Sequence, residues 1–231
     1  MRSLFLFFLI PVTLIAQTDD SFQPEWAYGL NAGVTLSTTS FNPTIPQSSY
    51  LQYIGGVTGR YISERHWGLQ LELNYSQRGW NEYHPDDPSL QYSRQLNYLE
   101  FPLCSHLYFD MGKRFRLFFI AGPQLGFLLS ENESSGRLSE TEEERQLYGK
   151  KRPLTEEERS LHHDMTVERK LDWGICGGGG LELRTGIGSF LLEGRYYFGL
   201  SDIFNNSKAD YFAASANKIT CIKLSYLVRI Q

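Results

Sequence analysis

Nowhere in its 231 residues does the chain hold the roughly 20 consecutive apolar residues that a membrane-spanning helix requires. The nearest approach is N-terminal: one positive charge at Arg2, the apolar run Leu4 to Ile10, then Pro11 and Val12 leading to Ala16-Gln17. The polar Gln17-Thr18-Asp19-Asp20 follows too soon for an anchor. Residues 1–16 are therefore expected to be a secretory signal peptide, with the mature domain spanning 17–231. Leu14 is larger than the small residue usual at that place before the cleavage site.

Cysteine is scarce as well. Cys104, Cys176 and Cys221 share no metal-ligand spacing and form an odd set for an exported chain, which excludes a disulfide framework and leaves one bridge or a free thiol. Basic clusters are missing, and with a net charge of -4 the chain has no electrostatic footprint for nucleic acid. Gly188-Ser189 lacks the glycine pattern of a nucleophile elbow, and Gly177 to Gly180 lacks the Lys-Ser or Lys-Thr that completes a phosphate loop. The histidines His66, His84, His106, His162 and His163 are scattered, and His162-His163-Asp164 lies in a charged loop. These absences lead us to expect a protein that is not an enzyme and holds no cofactor or metal.

Aromatic residues are abundant, with 14 Tyr and 15 Phe beside 21 Gly, a mixture suited to strands and interfacial belts. They fall into a period of two. Trp67, Leu69, Leu71, Leu73 and Tyr75 alternate with Gly68, Gln70, Glu72, Asn74 and Ser76, giving one strand an oily and a wet face. The pattern recurs over Leu171–Arg184, Phe190–Phe198 and Ile222–Ile230. It is weaker over Trp26–Leu36, Leu51–Ile62, Tyr92–Phe109 and Phe115–Leu129, and weakest in the first of these, where Gly29, Asn31 and Gly33 dilute it.

That makes eight segments, each long enough to cross a bilayer at a tilt, which takes about 9–11 residues. Tight links at Glu64-Arg65-His66, Met111 to Arg114 and Thr185-Gly186-Ile187 alternate with longer polar loops near 37–50, 82–91, 131–168 and 201–216. Short turns on one side and long loops on the other mark a transmembrane barrel, with turns and N-terminus periplasmic and loops extracellular. A soluble lipocalin-like barrel would instead turn its apolar face inward. The expected fold is all-β: an eight-stranded antiparallel up-and-down transmembrane barrel in lipid.

Three segments carry a resemblance. Asn74-Tyr75-Ser76-Gln77-Arg78-Gly79, Leu96-Asn97-Tyr98-Leu99-Glu100-Phe101-Pro102-Leu103 and Gly194-Arg195-Tyr196-Tyr197-Phe198-Gly199-Leu200 resemble the PorT-like outer-membrane barrel family of Bacteroidetes. The resemblance implies a barrel, and through PorT an accessory part in type IX protein secretion. An outer-membrane hydrolase or acyltransferase is a weaker alternative.

If the oily face meets lipid, the lumen receives Arg60, Glu72, Glu100, Arg116, Glu182, Arg184, Glu193, Arg195, Lys223 and Arg229. An eight-stranded barrel is just wide enough for side chains to fill. Both signs of charge then imply a salt-bridged plug, because an unpaired buried charge is very costly. Outside the wall, Thr141-Glu142-Glu143-Glu144-Arg145 recurs as Thr155-Glu156-Glu157-Glu158-Arg159, each Thr three residues before a Glu as in a capping box. Two short helices are expected in this third loop, which is the candidate surface for a protein partner.

Overall fold

The structure is a computed structural model that describes residues 23–158, 163, 165–206 and 211–230. The signal-peptide segment, Arg159, His162 and Asp164 lie outside the described residues. In chain order the elements are β1 (Glu25–Asn42), β2 (Gln47–Ser48), β3 (Tyr50–Glu64), β4 (Trp67–Glu82), β5 (Leu90–Met111), β6 (Phe115–Leu138), α1 (Glu142–Tyr148), β7 (Lys151–Arg152), β8 (Leu171–Thr185), β9 (Gly188–Asp202) and β10 (Ala214–Ile230).

Eight long strands pair antiparallel in the ring β1-β3-β4-β5-β6-β8-β9-β10, and β10 returns to β1 to close it. The closing seam runs without interruption from Trp26↔Ile230 to Asn42↔Ala214. Closure leaves no edge strand, the condition for strands to exist in hydrocarbon. The two-residue strands β2 and β7 extend the wall beyond the ring by pairing with β4 and β6.

Alternation sorts the side chains as the period of two requires. On β4, Gln70, Glu72 and Asn74 are buried inside while Leu69, Leu71, Leu73 and Tyr75 are exposed outside. Trp26, Trp67, Phe109, Phe115 and Phe190 ring the outer surface at the short-turn end. Tyr53, Tyr75, Trp173, Tyr196 and Phe198 ring it near the long-loop end. Two aromatic girdles with an aliphatic band between them are the surface of a barrel fitted to a bilayer.

Several expected boundaries move. All eight segments lie within strands, but β5 and β6 continue together well past the barrel rim, through Leu90↔Arg137. Residues 131–138 are thus strand rather than loop, as are 37–42 of β1, 201–202 of β9 and 214–216 of β10. The residues there are mostly polar, with isolated apolar ones such as Phe41 and Leu138, so no sustained hydrophobic alternation announced them; a neighbouring strand supplies the pairing.

The first repeat of the third loop forms the expected helix. Thr141 caps α1, its hydroxyl accepting from Glu144 N while the Glu144 side chain accepts from Thr141 N. Of the second repeat, the described residues Thr155–Glu158 form a turn, closed by Glu158 N donating to Thr155 O at 3.0 Å. Its Glu158 carboxylate accepts from Thr155 N at 3.0 Å, the capping-box bond, and is also held by two arginines.

Candidate functional site

The lumen is filled in three tiers, each placed by the inward parity of the strands. At the short-turn end Arg184 and Arg229 approach Glu25 at 2.9 and 3.6 Å, and Arg116 meets Asp110 at 2.7 Å. One step inward, Arg60 holds Glu182 through both terminal nitrogens, at 2.9 and 3.2 Å, with both side chains fully buried.

The middle tier centres on Glu72. Its carboxylate accepts from Gln70 at 2.6 Å, Asn74 at 2.7 Å, Arg195 at 2.8 Å and Lys223 at 2.7 Å. Arg195 and Lys223 also reach Glu193, at 2.7 and 3.3 Å. Two acids and two bases from β4, β9 and β10 thereby neutralise one another. A glycine lets the wall close tightly around them: a Cβ on Gly178 would lie 2.1 Å from Gly194 O and 2.8 Å from the Arg195 Cα of the neighbouring strand. Gly180 does the same, since a Cβ there would lie 2.0 Å from Leu192 O and 2.7 Å from the Phe118 ring.

In the third tier Arg78 donates from Nε to Glu100 at 2.8 Å and from Nη1 to Asp172. Its guanidinium lies between the rings of Tyr98 and Tyr197, 4.6 and 4.7 Å from their centroids. Gln124 donates to the other Glu100 oxygen at 3.0 Å, and Ser201 to Asp172 at 2.5 Å. Between the middle and third tiers lies a cavity of about 20 Å³, bordered by Ser76, Glu100, Arg195 and Lys223. It has room for about one water molecule.

An apolar plug closes the long-loop end. Phe41, Trp80, Tyr92 and Leu96 from the wall pack with Val167, Ile203, Phe204 and Phe212 from the third and fourth loops. Arg94 secures the plug, donating to Glu131 at 2.6 Å and to the Met165 carbonyl.

All ten expected lumen residues face inward, but Arg184 and Arg229 sit at the rim rather than in the plug. Sequence reasoning missed Arg78 and Asp172, the pair at the heart of the third tier. Asp172 sat on the correct parity beside Trp173. Arg78 also sits on the inward parity of Gln70, Glu72, Asn74 and Ser76, but beyond Tyr75, where the outward apolar run of β4 ends and Arg78, Gly79 and Trp80 are buried in succession. Glu25 and Asp110, at strand ends, were missed for want of surrounding alternation.

Beyond the rim, the β5–β6 extension, α1 and β7 form an arm. Arg137 and Arg152 both bind Glu158 at 2.7 Å, Arg137 also pairs with Asp87, and Arg152 lies 3.4 Å from Glu144. Glu142, Glu143, Glu156 and Glu157 are exposed around this staple. Arg152 donating to its carboxylate, with the Thr155 amide, holds Glu158 down at about 2. A lowered carboxylate contributes stability above its ordinary value, and that contribution is lost as pH falls through about 2. Protease resistance of residues 137–158 is thus expected to hold from pH 7 to 4 and to fail near pH 2, whereas E158Q fails across the range.

A closed antiparallel barrel with a polar ion-paired interior, an apolar exterior and aromatic girdles is an outer-membrane-type barrel. The family model of the outer membrane protein beta-barrel domain matches residues 15–205, and the chain belongs to that family. No curated protein matches in sequence. Among solved structures, Ail of Yersinia pestis in complex with a heparin analogue is 12% identical, over 88% of this chain and 99% of that one, at TM-score 0.42. Neisserial surface protein A is 10% identical over 89% and 99%, at TM-score 0.45. OprG from Pseudomonas aeruginosa is 13% identical over 88% and 94%, also at 0.45.

Proposed function

We propose that this outer-membrane protein is a non-enzymatic barrel that works through its long-loop face, binding a protein partner on the arm formed by the β5–β6 extension, α1 and β7. The observation that carries this reading is the contrast between the two ends of the molecule. Among the described residues the lumen's charges are paired in tiers around a cavity of about 20 Å³, and its mouth is plugged by aromatic rings. An interior so filled offers no diffusion path, since water-filled channels belong to barrels of about 16 strands or more. The arm, by contrast, is rigidified by Arg137, Arg152 and Glu158, yet presents a capped helix with no buried residue. Helix α1 does not serve the core. A stiff, charged projection fits a role in recognition, because little conformational freedom is lost when it binds.

The orientation that follows puts the arm outside the cell and the short turns in the periplasm. Surface proteolysis on intact cells tests it. Cleavage within 139–158 is expected, at a slow rate in the wild type and faster in R137A or R152A, while the turns at 64–66 and 112–114 stay protected. Cutting at the turns with protection of the arm would reverse the orientation and remove the reading.

A second reading, an accessory part in type IX secretion, is supported by the PorT-like segments of β4, β5 and β9. Those segments supply lumen residues such as Arg78, Glu100 and Arg195, so they serve the wall and plug. A deletion strain that exports its cargo normally would remove this second reading and leave the first intact.

A further inference from the structure

Cys104 on β5 and Cys176 on β8 both face the lumen, both are buried, and their sulfurs lie 3.4 Å apart. The two strands are not neighbours, since β6 runs between them. In a flat sheet that intervening strand would hold them about 9.6 Å apart, more than the roughly 7 Å between Cα atoms that a disulfide spans. Two features of β6 oppose this. The register that pairs Pro102 with Gln124 and Ser105 with Ala121 sets Gly122 beside Cys104, and Gly122 also pairs with Cys176. The residue separating the cysteines therefore has no side chain. The wall also folds tightly there, because a Cβ on Gly122 would lie 1.9 Å from Leu103 O and 2.9 Å from the Cys104 Cα. Such a corner turns the inward Cα–Cβ bonds on its two sides toward each other, and the sulfurs meet over the glycine.

We propose that Cys104 and Cys176 are a disulfide-forming pair, oxidised as the protein assembles in the envelope and joining β5 to β8 inside the lumen. The compartment is oxidising, unlike the cytoplasm. The oxidant is a protein disulfide of the thiol-oxidase class. One cysteine thiolate attacks it to give a mixed disulfide, and the other displaces the carrier sulfur. The two electrons and two protons end on the carrier dithiol. Burial sets the timing: the sulfurs are open to a carrier only before the plug and wall close. Closing the bond moves the sulfurs together by about 1.4 Å, within the reach of side-chain rotation at a glycine corner. Cys221, buried on β10, has no cysteine sulfur beside it among the described residues and stays a thiol.

The test uses protein extracted from the membrane in which it assembled. Free thiols are trapped with iodoacetamide in denaturant without reductant, and the digest is read by mass spectrometry. The expected result is a peptide pair joined through Cys104 and Cys176, with alkylation confined to Cys221. In C221A the same treatment is expected to label no cysteine until reductant is added, and two afterwards. Reductant applied to the folded wild type before trapping is expected to leave the bridge intact. Alkylation of Cys104 and Cys176 in the unreduced wild type, or a bridge that includes Cys221, would overturn the proposal.

Discussion

Replacing Arg78 with alanine is expected to destabilise the barrel by about 3–5 kcal/mol, the usual consequence of removing one partner from a buried ion pair. Arg78 is fully buried, and it is the cation that Glu100 and Asp172 share. Without it, two carboxylates face each other in a lumen whose other cations are engaged: Arg60 with Glu182, and Arg195 and Lys223 with Glu72 and Glu193. Gln124 and Ser201 still donate to the two acids, but neither carries charge. R78K should fall between wild type and alanine, because a lysine keeps the charge and loses both the forked donation and the flat group that lies between Tyr98 and Tyr197. The measurement is the midpoint of heat or urea unfolding of the barrel in detergent, followed by the shift between folded and unfolded gel mobility. A loss below about 1 kcal/mol for R78A, the size of an exposed pair, would mean that water reaches the third tier and that the lumen is not a dry plug.

The second large effect is expected on the opposite surface. Leu71 points outward at 54% exposure, midway along the outward run from Trp67 to Tyr75. In a bilayer L71R should cost about 2–4 kcal/mol, the figure for an arginine at the midplane of a lipid-facing strand. On a soluble barrel the same substitution of an exposed leucine would change stability by about 0.5 kcal/mol or less. Folding into lipid vesicles, with E143R on α1 as a control that lipid does not touch, separates the two. Equal stability of L71R and E143R would contradict the lipid-facing assignment of this surface. The two predictions concern opposite faces of one strand, since Glu72, next to Leu71, belongs to the ion-paired interior.

The wall was legible in the chain because both of its environments are extreme. Lipid demands apolar residues outside, a narrow lumen holds polar ones, and the backbone period of two converts that demand into an alternating sequence. Where the constraint lapses, so did the reading. The polar extension of β6 beyond the rim, residues 131–138, read as loop, although its partner on β5 read as strand from Tyr92. Arg78 escaped because the outward apolar run of β4 stops at Tyr75, which leaves its inward position without oily neighbours to mark it. The repeated Thr-Glu-Glu-Glu-Arg motif has the same local capping chemistry twice. Both copies make the bond from the Thr amide to the Glu carboxylate, and Glu158 is in addition drawn into pairs with Arg137 and Arg152 that its sequence neighbours do not announce.

What the sequence by itself determined is therefore the sorting of residues between lipid and lumen, the number of wall segments and the short-turn, long-loop asymmetry, all of which follow from local alternation and spacing. The tertiary structure alone decided the partners. Arg60 and Glu182 are 122 residues apart, Glu72 and Lys223 are 151 apart, and Cys104 meets Cys176 over a glycine on the strand between them. Such pairs depend on register and on the curvature of a closed wall, and both are fixed only when β10 closes on β1.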